Sequence, residues 1–292
     1  MYELVQVSEH CYYIQSPAKI GLIRISDQEV VLIDSGNDKD AGKKVKRILD
    51  SSGWHLQAIY NTHSHADHIG GNRYLQTQTG CHVYVYGIDK AFTAHPVLEP
   101  SYLYGGTPPA ELKHKFLMAQ ASNAESLSAD VLPDGLEIIP LPGHSFDMVG
   151  FRSSEGIVYL ADCLSSKEAL AKYQVSFLVN VKEYLRTLEA VKSMEADLYI
   201  PAHADVTDSI GELAQYNIDH VMEIGDRIVE FCREPLTFEQ ILQQTFRAFD
   251  LTMTFEQHAL VGSTVRSYLT WLKGENRLGA YIENNMLLWR AL

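Results

Sequence analysis

From the sequence we expect neither a secretion signal nor a membrane-spanning helix. Its first residues, MYELVQVSEHCYYIQS, contain neither the basic start nor the apolar stretch of a secretion signal. No run approaches the roughly 18 consecutive apolar residues that a membrane-spanning helix needs. We therefore expect a cytoplasmic protein with no membrane partner.

Cysteine is scarce, and basic charge is in deficit. The four cysteines are far apart and form no C-x-x-C pair, which is typical of packed thiols in a reducing compartment. The 24 lysines and arginines are outnumbered by 37 aspartates and glutamates, which gives a formal charge of −13. Nucleic acids and anionic membranes both select basic surfaces, so this balance disfavours either one as a general partner.

Histidine is concentrated in one segment, NTHSHADHIGG at residues 61–71. Three of the chain's 12 histidines and one aspartate fall within six positions of it (His63, His65, Asp67, His68). These side chains supply the nitrogen and oxygen ligands of zinc and similar ions. An H-x-H pair on an extended loop can direct both rings at one ion, and the adjoining Asp-His pair can serve a second. The segment therefore predicts a metal site.

Further ligand types stand where predicted strands end. LEIIPL is followed by Pro-Gly and His144, GIVYLAD ends on Asp162, and YIPAHAD carries His203 behind a proline. LQAIYN likewise leads directly into the histidine segment. Loops at strand ends commonly carry functional residues on a rigid scaffold. Four such junctions favour one shared metal site over four unrelated surface residues.

These motifs resemble the metallo-β-lactamase-fold hydrolases, a superfamily that includes glyoxalase II. THSHADHIGG is similar to the family signature T-H-x-H-x-D-H. The later motifs are matched in order by Pro-Gly-His144-Ser, Ala-Asp162-Cys and Pro-Ala-His203-Ala, and Asp34 in LIDSG matches an aspartate that ends an early strand. The usual P-G-H-G motif has alanine on both sides of His203 in this chain, which leaves the ligand in place. The resemblance covers about residues 1–215 and implies an α/β fold, an αββα sandwich with metals at one edge of two sheets.

The resemblance also implies which residues bind metal. It assigns His63, His65 and His144 to a first ion, Asp67, His68 and His203 to a second, and Asp162 to a bridge between them. The cofactor is then two divalent metal ions, with zinc expected first and iron or manganese as alternatives.

Two such ions can ionise a water that bridges them, so that hydroxide is available at neutral pH. Asp67 is expected to orient this nucleophile and take its proton. Asp34 is expected to hydrogen-bond a ligand histidine and fix its tautomer. By similarity to related enzymes, Tyr173 is a candidate group near the developing oxyanion. We therefore predict a binuclear metal-dependent hydrolase of a small ester, thioester or lactone.

One segment interrupts the predicted catalytic domain at residues 95–130. It combines four prolines and two glycines with large apolar side chains, whereas a solvated linker would be poorer in them. We expect an insertion that folds back as a lid, with Tyr102 and Tyr104 gating the substrate. His95 and His114 lie in this insertion and are secondary candidates for substrate contact.

The last part of the chain, residues 216–292, has a helical sequence pattern in place of the earlier alternation of strands and helices. It predicts three helices and a hairpin that turns at Asn284-Asn285, which together form a winged-helix-like module. Ten acidic residues stand against seven basic ones there. Because binding to a phosphate backbone needs excess basic charge, packing or dimerisation is the expected role.

Three alternatives stay open. Some superfamily members join the hydrolase domain to such a tail and cut RNA, so an endoribonuclease or phosphodiesterase is one alternative, which the acidic tail disfavours. A mononuclear iron sulfur dioxygenase is the second, and the full second ligand set argues against it. A metal-responsive DNA-binding protein is the third, and the complete catalytic set argues against it. The expected partner is a small-molecule substrate, and a homodimer stays open.

Overall fold

Two β-sheets lie at the centre of the fold in the computed structural model, which describes residues 2–292. The larger sheet has seven strands within that range, in chain order: β1 (Glu3–Gln6), β2 (Cys11–Gln15), β3 (Ile20–Arg24), β4 (Glu29–Ile33), β5 (His55–Asn61), β6 (His82–Val85) and β7 (Glu125–Ser126). Its first four strands are antiparallel to their neighbours, and β4 to β7 run parallel.

The smaller sheet follows later in the chain. It contains β8 (Leu136–Pro140), β9 (Val149–Ser153), β10 (Ile157–Ser165) and β11 (Leu198–His203). Their order across the sheet is β11-β10-β9-β8. The pair β10–β11 is parallel and the other two pairs are antiparallel. Both sheets therefore contain parallel strands whose carboxyl ends lead into loops.

Residues 2–292 form ten α-helices, and none of them is long and apolar enough to cross a lipid bilayer. They are α1 (Lys39–Ser52), α2 (Ala66–Ile69), α3 (Asn72–Thr79), α4 (Asp89–Ala94), α5 (Leu98–Tyr104), α6 (Lys167–Tyr173), α7 (Val181–Lys192), α8 (Gly211–Phe231), α9 (Phe238–Ala248) and α10 (Phe255–Gly274). Side-chain caps mark several starts, as Asp38 does for α1 by accepting two backbone N–H groups.

Alternation along β4 shows how the layers are built. Val31 and Ile33 pack with Phe151 of the smaller sheet, whereas Val30 and Leu32 pack on the other side with residues of α1 and α3. Successive strand side chains point to opposite faces, so one face meets the second sheet and the other meets helices. The smaller sheet buries its outer face against α7 and α8. The predicted αββα sandwich is confirmed.

The chain from Ala66 to Thr79 forms two short helices and not one continuous helix. Gly70 and Gly71 separate α2 from α3 where the chain passes the loop after β4. A Cβ atom on Gly70 would lie 2.3 Å from the backbone of Asn37, and one on Gly71 would lie 2.3 Å from the carbonyl oxygen of Ser35. This close backbone approach, which no local pattern reveals, interrupts the helix.

The C-terminal region contains the three predicted helices and hairpin. After α8 to α10 come β12 (Leu278–Glu283) and β13 (Met286–Ala291), joined at Asn284 and Asn285, both with positive φ. Ile224 of α8 and Leu272 of α10 belong to the same buried cluster as Leu188 of α7. These helices and the smaller sheet therefore share one core.

The insertion at 95–130 packs against the C-terminal helices. It contains α5, two single turns of 3-10 helix (Ala110–Leu112 and Ala129–Val131) and the short strand β7. Leu103, Leu112 and Leu117 form a buried cluster with Ala259 of α10. The buried apolar side chains of the insertion therefore pack largely against α10.

Candidate metal centre

The predicted metal ligands come from four segments of the chain, at or near the ends of strands of the two sheets. The segment after β5 carries the histidine cluster, the β8–β9 loop carries His144, and β11 ends at His203. Asp162 lies within β10, which continues to Ser165 beyond the strand end that the sequence predicts. Ala161 has φ of +51°, and the register with β11 shifts around it. This irregularity, which resembles a β-bulge, precedes Asp162 directly.

The structure brings all seven predicted ligands together in two adjoining groups. The first group is His63, His65 and His144, and the second group is Asp67, His68, Asp162 and His203; within each, the ligand atoms lie within 4.8 Å of one another. In the first group, Nδ1 of His65 lies 3.0 Å from Nε2 of both His63 and His144. Each group therefore has enough nitrogen and oxygen atoms to hold an ion.

Asp162 connects the two groups. Its Oδ1 lies 3.1 Å from Nε2 of His68, and its Oδ2 lies 3.3 Å from Nε2 of His203. The same Oδ2 is 3.5 Å from Nε2 of His144, which belongs to the first group. One carboxylate thus faces both groups.

Outer contacts fix the orientation of three histidine rings. The nitrogen facing away from the centre is engaged as follows: Nδ1 of His63 with Thr62 Oγ1 at 3.0 Å, Nδ1 of His68 with Asp34 Oδ2 at 2.8 Å, and Nδ1 of His203 with the Pro17 carbonyl at 3.1 Å. Asp34 also accepts from the backbone N–H and hydroxyl of Thr62, both at 2.8 Å. Such contacts leave the inward nitrogen free for an ion.

Two buried atoms of the centre lack a hydrogen-bond partner among residues 2–292. They are Nε2 of His68 and Oδ1 of Asp162, which lie 3.1 Å apart. An unpaired buried polar atom costs roughly 1–3 kcal/mol. A divalent ion coordinated by both would remove that cost, so the residues present fit the metal that their chemistry suggests.

The first group is electrically neutral near pH 7. Burial lowers the pKa of His65 to about 4 and that of His144 to about 3, and it also holds the pKa of His63 well below its usual range. Neutral imidazole is the form that binds a metal. The first group is therefore ready to accept an ion without losing protons.

The second group consists of charged pairs instead. The Asp162 carboxylate raises the pKa of His203 to about 10. Burial would lower the pKa of His68, but the Asp162 and Asp67 carboxylates hold it well above its usual range. An ion entering the second group would replace these two protons.

The metal centre opens into two adjoining cavities. The larger cavity has a volume of about 600 Å³ and the smaller cavity about 400 Å³, and Asp67, Tyr173, Phe177 and Leu260 line both. Tyr173 stands at the end of α6, a short helix that the Ser166 side chain caps. Tyr173 thus reaches the cavity wall, with 58% of its surface exposed.

The insertion contributes different side chains from those predicted. Tyr102 and Tyr104 line a separate cavity of about 800 Å³ between α5, α7 and α10, and none of the seven predicted metal ligands lines it. Phe116 and Leu117 line the smaller cavity beside the metal centre.

The two histidines of the insertion are not among the lining residues of the two metal-centre cavities. His95 is exposed, and Nε2 of His114 lies 3.4 Å from Oε1 of Glu256.

Glu99 of α5 is a residue that sequence reasoning missed. It lines the smaller cavity, and its Oε1 lies 3.8 Å from Nε2 of His65. Burial, together with the charge of Asp89, raises the pKa of Glu99 to about 8. No sequence signal distinguishes it from the other acidic residues, because its position depends on how the insertion folds back.

Comparison with known proteins agrees with this geometry. A family profile described as Metallo-beta-lactamase superfamily matches residues 14–203, more than half of the chain. A beta-lactamase-like protein 2 homolog of Drosophila melanogaster is 25% identical over 209 residues, which cover 69% of this chain and 63% of that protein. A hydroxyacylglutathione hydrolase of Prochlorococcus marinus is 22% identical over 187 residues, covering 63% and 64%. The chain thus spans less than two thirds of the length of these relatives.

A solved structure shows the same fold over nearly the whole chain. A metallo-beta-lactamase family protein of Thermus thermophilus superposes with a TM-score of 0.71 at 18% identity, covering 99% of this chain and 98% of that one. The profile match, the sandwich and the two ligand groups point to one family. This chain belongs to the metallo-beta-lactamase superfamily.

Proposed function

We propose that the protein is a hydrolase that uses two divalent metal ions to cleave a small ester, thioester or lactone. The observation that carries this proposal is the pair of ligand groups joined by Asp162 and opening into a cavity. His63, His65 and His144 would hold one ion, Asp67, His68 and His203 the other, and Asp162 would contact both. When bound, such a pair supplies hydroxide at neutral pH and polarises the substrate carbonyl.

The donor set favours zinc. Five imidazole nitrogens and two carboxylates suit zinc, with iron or manganese as alternatives. Sulfur donors do not contribute, since neither ligand group among the described residues contains a cysteine, and Cys163 is buried in the core beside the smaller sheet. Cys163 therefore serves as a packing residue.

The protein's own side chains would orient the reacting groups. His68 and the hydrogen-bonded His203 hold the pKa of Asp67 well below its usual range, against the effect of burial, so Asp67 is an anion. Its carboxylate would orient the nucleophile, and it is the proposed acceptor of the nucleophile's proton. Asp34 fixes the ring of His68 and is a positioning residue. Tyr173 would offer its phenol hydroxyl to the substrate from the cavity wall.

The shape of the two cavities suits a substrate with a group on each side of the cleaved bond. Tyr173, Phe177 and Leu260 lie between the two cavities and present apolar surface to both. An acyl portion on one side and an alcohol or thiol portion on the other would each find a partly apolar wall. The walls come from the catalytic region, the insertion and α10, so we propose that residues 216–292 shape the substrate cavity.

Charge in the cavities favours an uncharged substrate over a phosphodiester or RNA. Besides the proposed ligands, their charged lining residues are Glu168, Asp205 and Glu256 against Lys19 and Lys115. Glu99, whose pKa burial raises to about 8, is mostly neutral at pH 7. The ammonium of Lys115 is 3.0 Å from Asp38, and that of Lys19 donates to the carbonyl of Ala204. Both cations are thus already engaged, whereas binding of a nucleic-acid backbone requires free basic groups.

Metal analysis and a substrate screen test the proposal. The purified protein should hold about two ions per chain and should hydrolyse at least one of a series of uncharged acyl esters, acyl thioesters and lactones. Asp162→Asn is the variant to compare with the unaltered protein in both measurements, because it removes one charge at nearly constant volume. Cleavage of RNA or a phosphodiester with no ester hydrolysis would refute the proposed substrate class, and a single tightly bound ion with full activity would refute the two-ion centre.

A further inference from the structure

A buried carboxylate lies behind the metal centre without belonging to either ligand group. Asp89 is the first residue of α4, and 1% of its surface is exposed. Its Oδ1 accepts from the backbone N–H of Ser64 at 3.0 Å, from the Ser64 hydroxyl at 2.7 Å and from the Ser145 hydroxyl at 2.7 Å. Its Oδ2 accepts from the backbone N–H of Asp147 at 2.9 Å.

These contacts join the two loops that carry the first ligand group. Ser64 stands between His63 and His65, and Ser145 follows His144. We propose that Asp89 is a positioning residue that sets the mutual geometry of these three histidines. The inference rests on the proposed metal centre, and it assigns a role to a residue that touches neither ion nor substrate.

A reciprocal contact holds Asp89 in place against the same loop. The Asp147 carboxylate accepts from the backbone N–H of Ile88 at 2.7 Å, while the Asp147 N–H donates to Asp89. Gly87 has φ of +53°, and a Cβ atom there would lie 2.1 Å from Oδ2 of Asp147. The turn before α4 and the His144 loop therefore fit together closely, which fixes where the Asp89 carboxylate stands.

The charge of Asp89 explains why these donors converge. A buried carboxylate must be compensated by hydrogen bonds, and two backbone N–H groups and two hydroxyls do so here. An asparagine has one oxygen that can accept from these donors. Its NH₂ group would replace the other oxygen, so that two donors would face each other. Asp89→Asn should therefore loosen the connection between the loops at nearly constant volume.

Zinc affinity measured separately for each ligand group tests the role. A His68→Ala background disables the second group, and a His144→Ala background disables the first. Adding Asp89→Asn should weaken zinc binding about tenfold or more in the first background, as loss of an outer-shell contact commonly does, and change it less than about threefold in the second. Competition with a chromophoric chelator gives both constants, and the visible spectrum of the cobalt-substituted first group should shift.

Two controls separate positioning from general loss of stability. Leu242→Ala truncates a fully buried side chain of α9 and should lower thermal stability without changing the affinity of the first group. Ser145→Ala removes one contact to Asp89. In the His68→Ala background it should weaken the first group a few-fold, but it should add nothing once Asp89→Asn is present. This second variant keeps the test decisive if Asp89→Asn does not fold.

Equal weakening of both ligand groups by Asp89→Asn would overturn the proposal, as would unchanged affinity of the first group in Asp89→Asn or in Ser145→Ala. These measurements need no substrate. A protein that binds two zinc ions but hydrolyses no ester would contradict the proposed function and leave the role of Asp89 standing.

Discussion

Metal binding should release protons from one ligand group and not from the other. His203 has a pKa of about 10 and that of His68 lies well above its usual range, so both carry a proton at pH 7 in the metal-free protein. An ion must displace both, since imidazole binds metal only when neutral. His63, His65 and His144 have lowered pKa values and are already neutral at pH 7. We expect about two protons released per ion at the second group and none at the first.

This difference sets the pH dependence of loading. A release of two protons makes the apparent association constant change by about a hundredfold per pH unit over the range in which both histidines are protonated. Lowering the pH from 7 to 6 should therefore weaken the second group by about two orders of magnitude. The first group should be nearly unaffected, because its histidines begin to take up protons only near pH 4. Mild acid should leave a protein loaded in the first group alone.

Calorimetric titration of zinc in two buffers of different ionisation enthalpy counts the protons directly. His144→Ala isolates the second group and His68→Ala isolates the first, each at pH 7 without substrate. Ionisation of a water on binding would add to both counts, so the difference between the two groups is the quantity tested. Equal counts in the two variants, or release at the first group alone, would refute the charge assignment.

Four further outcomes are expected. Asp162→Asn should lower metal content from about two ions to one or fewer and hydrolysis by roughly a hundredfold, because both groups lose their shared carboxylate; near-full activity in a metal-analysed sample would contradict this. Asp34→Ala should weaken zinc binding about tenfold or more in a chelator competition, since a ligand ring loses its outer contact; unchanged affinity would count against the positioning role. Phe116→Ala and Leu117→Ala should each raise KM several-fold in steady-state assays, whereas Tyr104→Ala should not. An equal effect of all three would contradict substrate binding in the cavity that Phe116 and Leu117 line. A low-salt gel shift with duplex DNA and structured RNA should show no binding below the micromolar range, and tight salt-sensitive binding would restore the nuclease alternative.

The convergence of the proposed metal ligands could be predicted because local sequence constrains these residues strongly. A buried strand that ends in histidine or aspartate shows both where the side chain stands and what it can bind. His144 after Pro-Gly and Asp162 after GIVYLAD are readable in this way from a few neighbours. The alternation along β4 likewise follows from side chains pointing to opposite faces. Residues whose position depends on one strand and the loop that follows it could therefore be predicted from the sequence.

Residues whose position depends on packing between distant parts of the chain could not be predicted from the sequence. Tyr102 and Phe116 are both large aromatic residues of the insertion, and only the attachment of that insertion to α10 decides which of them faces the metal centre. Asp89 follows an ordinary strand and turn, and nothing local shows that its carboxylate reaches Ser145, 56 residues away. The break between α2 and α3 has the same origin, because the backbone that crosses Gly70 comes from the loop after β4.

The residues that local sequence predicts are those proposed for the chemistry. The residues that depend on distant packing are those proposed for substrate specificity. All seven proposed ligands lie within residues 14–203, the part that the family profile matches. The cavity walls draw in addition on Phe116 and Leu117 of the insertion and on Leu260 and Thr264 of α10, which lies beyond that part. A relative that shares the ligands can therefore differ in every wall contact made by α10. Under the proposed function, the substrate would be set by how α10 and the insertion pack over the candidate metal centre, and a shared ligand set alone would not determine it.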